Sequence, residues 1–274
     1  MLTMVKAMSS KKSLKIKDIV GPIQYRLALA GGWIDQPFVS KHNSSAFGSM
    51  VVAAVEPEFR FMDRSGIGGS TRSIALKLWG SEMPKVEPMK LVQQLYEVEN
   101  KEKSEPSGSQ DMIGVVYQGI NRLDYDYSYE GGYFPKHIES NNDSKTIKWL
   151  ESNLYILPIS PRPAGYNPLG RQNLVPEWVT RLGQSGKDCF TAILNHDLKG
   201  LGASMNECMK CWHILLPDIF EHSTLSADLL SLLQYYQENY AGAMYSGCGG
   251  GYLFVVSDRQ VPGAFHVKIK AGGK

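Results

Sequence analysis

Along the chain, apolar and polar positions follow two regimes: short apolar runs dominate the first half, and helical spacing dominates much of the second. From Ser13 the sequence alternates, with Leu14, Ile16 and Ile19 apolar. Tyr25-Arg26-Leu27-Ala28-Leu29-Ala30 reads as a strand running into Gly31-Gly32-Trp33-Ile34-Asp35-Gln36-Pro37. Residues 51–55 form an unbroken apolar strand of the buried type, and Phe59-Arg60-Phe61-Met62 reads as another. A glycine-rich turn follows, and then Ile74, Ala75, Leu76 and Leu78 recur at helical spacing. Residues 88–100 are helical, with Met89, Val92, Leu95, Tyr96 and Glu99 on the repeat, and they stop at the polar loop 101–108. An apolar run follows Asp111, which puts Asp111 at a helix start, where the dipole favours its ionised form.

Residues 122–148 are rich in Asp, Tyr, Asn and Gly, and they predict hairpin strands around 133–138 between mobile loops. Residues 154–159 read as a strand. The Pro- and Gly-rich stretch Ser160-Pro161-Arg162-Pro163-Ala164-Gly165 is the best boundary in the chain, dividing 1–160 from 161–274. Three helical patterns follow at about 173–198, 201–220 and 223–238. A second glycine cluster ends at Gly251, and 252–256 and 265–270 read as the last strands.

Composition narrows the class without choosing a function. A hydrophobic share of 43% with 20% charged residues is ordinary for a globular protein, and 274 residues suffice for about two lobes. The net charge of +2 gives no basic field for nucleic acid. No window approaches the ~20 apolar residues of a membrane span, and residues 1–12 read as a leader without the apolar run of a signal peptide. Cys189, Cys208, Cys211 and Cys248 are too sparse for a disulfide framework, so a cytoplasmic protein is expected. Cys208-Met209-Lys210-Cys211 has half a zinc spacing, but it sits on a helical pattern with Met205, Trp212 and Leu215 and reads as core. The six histidines form no metal-spaced pair, and no Gly-x-Ser-x-Gly elbow is present.

The glycine-rich turn is Ser65-Gly66-Ile67-Gly68-Gly69-Ser70-Thr71-Arg72. Glycines let a backbone approach a ligand, and the helix after them would aim free N–H groups and a positive dipole end at a phosphate. An ordinary capped turn accounts for the same residues, and neither the P-loop nor the dinucleotide-binding spacing is present. Three stretches taken together are more specific. Arg26-Leu27-Ala28-Leu29-Ala30-Gly31-Gly32-Trp33-Ile34-Asp35, Gly66-Ile67-Gly68-Gly69-Ser70-Thr71 and Ser246-Gly247-Cys248-Gly249-Gly250-Gly251 occur in the order of the three motifs of the GHMP kinases, and the chain resembles that family. The Ala-Gly-Gly-Trp-x-Asp form resembles the fucokinase and heptose-phosphate kinase branch. Glu99 and Gly108-Ser109-Gln110-Asp111 stand where the family has a helix ending in Glu and then a Gly-x-x-Asp segment. The sequence departs from the pattern at Gly69, Arg72 and Met112.

The resemblance implies a two-lobed α+β GHMP kinase fold, with an N-terminal lobe like the second domain of a ribosomal protein and a ferredoxin-like C-terminal lobe. It implies ATP and Mg²⁺ as cofactors and a small-molecule sugar or sugar phosphate, taken at its anomeric hydroxyl, as substrate. Gly66, Ile67, Gly68, Gly69, Ser70 and Thr71 would bind nucleotide, and Ser70 and Glu99 would ligate the metal. Asp111 would be the base and Arg26 its catalytic partner. Asp35, Gly247, Gly249 and Gly250 would meet the substrate. A homologue that binds nucleotide or sugar with weak or no turnover is the alternative.

Overall fold

The computed structural model describes residues 16–103 and 106–272; the leader at 1–12 and Leu14 lie outside the described residues. In chain order the elements are α1 (Ile16–Val20), β1 (Tyr25–Ala28), α2 (Pro37–Ser40), β2 (Gly48–Val55), α3 (Gly69–Trp79), α4 (Pro88–Asn100), α5 (Gln110–Val116), β3 (Ile120–Tyr125) and β4 (His137–Asn141). There follow α6 (Ser144–Asn153), β5 (Leu154–Ser160), α7 (Pro176–Leu194), α8 (Leu198–Leu215), α9 (Asp218–Glu221), α10 (Leu229–Asn239), β6 (Gly242–Gly247) and β7 (Gly250–Val256).

Two antiparallel sheets organise these elements, one in the order β1-β2-β3-β4 and one in the order β5-β7-β6. The architecture is α+β, as the resemblance implies. β2 is buried along its whole length because helices pack on it: α5 lies against it, and α7 crosses it so closely that a Cβ on Gly186 would lie 1.9 Å from the Ser49 carbonyl oxygen. The long helix of the second half is thereby pinned to the first sheet, and one buried core runs through both sheets. All four cysteines are buried within it and unpaired, and burial pushes the Cys189 and Cys208 thiols up to about 12.

Local signals held where they were strong. α4 begins and ends where the pattern places it, with Pro88 in its first turn and the Glu87 carboxylate accepting from the Met89 and Lys90 amides. Four readings change. Residues 16–20 coil into α1 despite their alternation. Residues 59–62 are not a strand; they form a loop whose Phe61 packs edge-on against Tyr25 at 4.8 Å and Tyr252 at 5.5 Å. Residues 122–148 contain α6 as well as a hairpin, and 265–270 make only single bridges, Ile156 to Phe265 and Val55 to Ile269. β5, which ends at the expected boundary, pairs with β7 and so belongs to the second sheet. No helix among the described residues is long and apolar enough to cross a membrane.

Candidate active site

The two glycine clusters, 181 residues apart along the chain at Ser65 and Ser246, meet backbone to backbone. The Ser246 hydroxyl donates to the Ser65 carbonyl at 2.6 Å and accepts from the Tyr252 amide at 2.9 Å. Gly66 (φ +73°) lies so near this hairpin that a Cβ would be 2.7 Å from the Ser246 carbonyl oxygen. Gly251 (φ +93°) would put a Cβ 2.3 Å from the Ser65 carbonyl oxygen. Both positions combine left-handed backbone with close approach, which glycine alone tolerates. The β6–β7 hairpin therefore holds the turn in front of α3.

That turn walls a cleft of 380 Å³ lined by Gly66, Gly68, Gly69 and Ser70 with Arg64, Arg162, Arg26 and Asp111. Gly68, at φ +70°, caps α3, so the first amides of an eleven-residue helix open toward the glycines. Free amides, a positive dipole end and three guanidiniums are features that suit phosphate groups, although the carboxylates of Asp63 and Asp111 also line the cleft. Ile67 and Thr71 turn into the core and do not line the cleft.

Arg26 leaves the buried strand β1 and meets Asp111 in the first turn of α5. Its Nε donates to Asp111 Oδ1 at 2.6 Å, its Nη2 donates to the same oxygen, and its Nη1 donates to the Gly66 carbonyl at 2.8 Å. The Arg26 side chain is 6% exposed and that of Asp111 22%, so the pair is sheltered yet open on the carboxylate side.

Behind this pair lies a second cleft of 210 Å³, lined by Trp33, Asp35, Gln110, Gly247 and Trp212 among others. Arg26, Gly66, Asp111 and Arg162 line both clefts. Gln110 donates to Asp35 Oδ1 at 3.3 Å, and among the described residues Asp35 Oδ2 and Gln110 Oε1 have no partner. Buried polar atoms are rarely left so; Asp35 is fully buried at the edge of the cleft, and a Cβ on Gly108 would lie 1.7 Å from its Oδ2. Gly249 and Gly250 lie against Tyr166 and Ser160 rather than on this cleft.

Burial, then repulsion from Asp111, pushes the Asp35 carboxyl up to about 7. The unfolded chain releases that proton near 4. Between those values the folded form holds the extra proton, so stability falls as pH rises from about 4 to about 7 and then levels. Asp35→Asn should remove this slope. Between pH 5 and pH 8 the wild type should lose about 2–3 kcal/mol relative to the variant, read from denaturant midpoints. Parallel shifts of the two proteins would refute the assignment.

The oxygen donors expected for a metal are rearranged. Ser70 faces the phosphate cleft, but it is Thr71, one residue and about 100° further round α3, whose hydroxyl donates to Glu99 Oε2. Lys103 Nζ stands 3.4 Å from the other Glu99 oxygen, and Glu99 is not in the cleft lining. No cluster of three or more His, Cys, Asp or Glu side chains among the described residues would hold a metal unaided. Of the residues expected to ligate the metal, Ser70 alone lines the cleft, and its hydroxyl is a hard oxygen donor of the kind that Mg²⁺ takes.

One departure from the motif acquires a reason. Arg72 points away from the cleft: it donates to the carbonyls of Ile23 at 2.7 Å, Val20 at 2.6 Å and Gly21 at 3.0 Å, and lies 4.1 Å over the Tyr25 ring. It ties α3 to the chain entering β1. A Cβ on Gly69 would meet nothing within 4 Å. Gly69→Ser should therefore keep the denaturation midpoint within about 0.5 kcal/mol of wild type, a surface-type change; a larger loss would show that the turn requires glycine there.

Arg162 was missed as a site residue, because its Pro-flanked stretch reads as a boundary. Its Nε donates to the Cys248 carbonyl at 2.9 Å and its amide to the Arg64 carbonyl at 2.9 Å, which place it on both clefts. Only the β5–β7 pairing brings it there, and nothing local signals that.

No protein-family model matches the chain, and no curated protein matches it in sequence. Solved structures match in fold. Galactokinase from Lactococcus lactis, complexed with galactose, superposes with a TM-score of 0.61 at 11% identity, covering 94% of this chain and 96% of that one. Mevalonate kinase from L. major, in complex with R-mevalonate, gives 0.56 at 13% identity over 99% of this chain and 100% of that one. D-glycero-D-manno-heptose 1-phosphate kinase from Bacteroides thetaiotaomicron gives 0.51 at 12% identity, with 91% and 96% covered. Over nearly its whole length the chain has the fold of the GHMP kinases.

Proposed function

We propose that the protein is an ATP- and Mg²⁺-dependent kinase acting on a small hydroxylated acceptor, a sugar or sugar phosphate taken at its anomeric hydroxyl. The observation that carries this reading is the Arg26–Asp111 pair on the wall shared by an arginine-lined, glycine-walled cleft and a cleft with unmet hydrogen-bonding atoms. Phosphoryl transfer asks for that arrangement: phosphates on one side, an alcohol on the other, and a base between them.

The amides of 66–70 and the α3 N-terminus hold the nucleotide phosphates, with Arg64 and Arg162 against their charge. Asp35 and Gln110 bind acceptor hydroxyls and fix the ring. Asp111 takes the proton of the attacking hydroxyl as its oxygen bonds to the γ-phosphorus and the bond to the leaving ADP breaks. Arg26 fixes the carboxylate by two donors on one oxygen, leaving the other free for the alcohol. Mg²⁺, when bound, neutralises charge on the phosphates, and Ser70 is the hydroxyl placed to meet it. The division into two lobes belongs to this reading, drawn before β5 rather than at 160/161 because β5 pairs with β7 in the second sheet.

Two of the relatives in fold were solved in complex with galactose and with R-mevalonate, which supports a hydroxylated small molecule as acceptor. ADP release by the purified protein with Mg²⁺ATP and a panel of free sugars and sugar phosphates tests the proposal. Turnover on one class of acceptor is expected. Nucleotide binding with no turnover on any acceptor would favour a binding homologue.

A further inference from the structure

Next to the acceptor cleft, and continuous with it, opens a wider hollow of 500 Å³. Trp33, Gln36 and Ser107 line both. The remaining wall is Phe38 with Pro37 at the start of α2, Lys41 just after it, Pro106, Leu169 from the second half, and Tyr127 and Tyr133 from the loop between β3 and β4. At 210 Å³ the inner cleft is smaller than the roughly 300–1,000 Å³ of sites that enclose a drug-sized ligand, whereas the outer hollow lies within that range.

The outer hollow has aromatic walls and a polar rim. Tyr127 is 49% exposed and Tyr133 38%, and both line the hollow, where their rings are open to a ligand. Trp33 stands at the junction, edge-on to Phe38 at 6.1 Å, and lines the inner cleft together with Cys248 of the third glycine motif. Its backbone is left-handed at φ +81°, a conformation that an aromatic residue keeps only where its surroundings impose it. Tyr133 is braced by Tyr96 at 6.2 Å. Gln36, Lys41 and Ser107 place hydrogen-bonding groups around these faces.

We propose that the acceptor is a two-ring molecule, whose reacting ring fills the inner cleft and whose second ring lies on the aromatic walls of the outer hollow. The inference rests on the kinase reading for the identity of the reacting ring. Flat walls with a polar margin suit a second ring that offers an apolar face and polar edges, either another sugar ring or an aryl substituent. If the reacting group is the anomeric hydroxyl, the second ring is attached elsewhere on the first, as in a reducing disaccharide.

A matched series tests this with the full chain: glucose and galactose against maltose, cellobiose, lactose and 4-O-benzylglucose. Two readouts are taken, kcat/KM with Mg²⁺ATP and calorimetric Kd without nucleotide. At least one two-ring probe should show about tenfold higher kcat/KM and about tenfold lower Kd than its parent sugar, and both ratios should move toward one in Tyr127→Ala. The disaccharide and benzyl arms identify the kind of second ring. Two-ring probes and parents within about threefold of each other would overturn the proposal. So would a preference that survives both Tyr127→Ala and Tyr133→Ala. Preferential binding of two-ring probes with no turnover of any sugar would sink the kinase and leave the outer site standing. Turnover of single-ring sugars alone would do the reverse.

Discussion

Asp111→Asn should lower acceptor-dependent ADP release by about 10²–10⁴-fold, the range over which a positioned general base acts. The substitution is conservative in structure. The Asn carbonyl can still accept from Arg26 Nε, which now meets the carboxylate at 2.6 Å, and the amides that hold phosphate belong to another element. Nucleotide Kd should therefore stay within about threefold of wild type while turnover collapses, a split that loss of folding would not produce. Asp111→Ala differs, because it leaves the guanidinium of a residue only 5% exposed without its counter-charge. Removing one partner of a buried pair costs about 3–5 kcal/mol, so that variant should lose stability as well as activity. Turnover in Asp111→Asn near the wild-type rate would remove Asp111 from the chemistry.

Gly251→Ala should cost about 3–5 kcal/mol in the denaturant midpoint, at the upper end for a single methyl group. The added Cβ would sit 2.3 Å from the Ser65 carbonyl oxygen and 2.8 Å from Ser246 Oγ, on backbone at φ +93°. Relief requires moving Ser65, the residue directly before Gly66, so nucleotide affinity should fall together with stability. Gly165→Ala is the control: it also has positive φ, +72°, but nothing lies within 4 Å of its Cβ. It should cost only about 1–2 kcal/mol for the left-handed backbone. Equal costs at the two positions would mean that close approach of the loops is not what Gly251 serves.

Much of the molecule could be read from its residues because the deciding forces are local. α4 follows from Pro88, Glu87 and the spacing of Leu91, Val92 and Leu95, all within one stretch. The turn at 65–72 shows itself by glycines whose backbone no other residue adopts easily. Where the reading changed, partners distant in sequence decide. Residues 59–62 have the composition of a strand, but their aromatic rings are taken up by Tyr25, Tyr252 and Phe265, so the segment packs as a loop. α1 is only five residues long, too short for periodicity to speak. Arg72 looks out of place inside a phosphate-binding helix until the carbonyls of 20–23 come round to meet it. The exchange of Ser70 for Thr71 on Glu99 turns on one residue of helical phase, which spacing alone does not resolve. Arg162 depends on a strand pairing with residues some ninety positions later.

The Ser246–Ser65 contact makes one wall serve two ligands. On the kinase reading, a phosphate group that settles on the amides after Ser65 also steadies the carbonyl to which Ser246 donates, and Gly247, next along, lines the inner cleft. The ordering cost of that wall is then met once for both molecules, so whichever arrives first raises the affinity for the other, and thermodynamic reciprocity makes the gain equal in both directions.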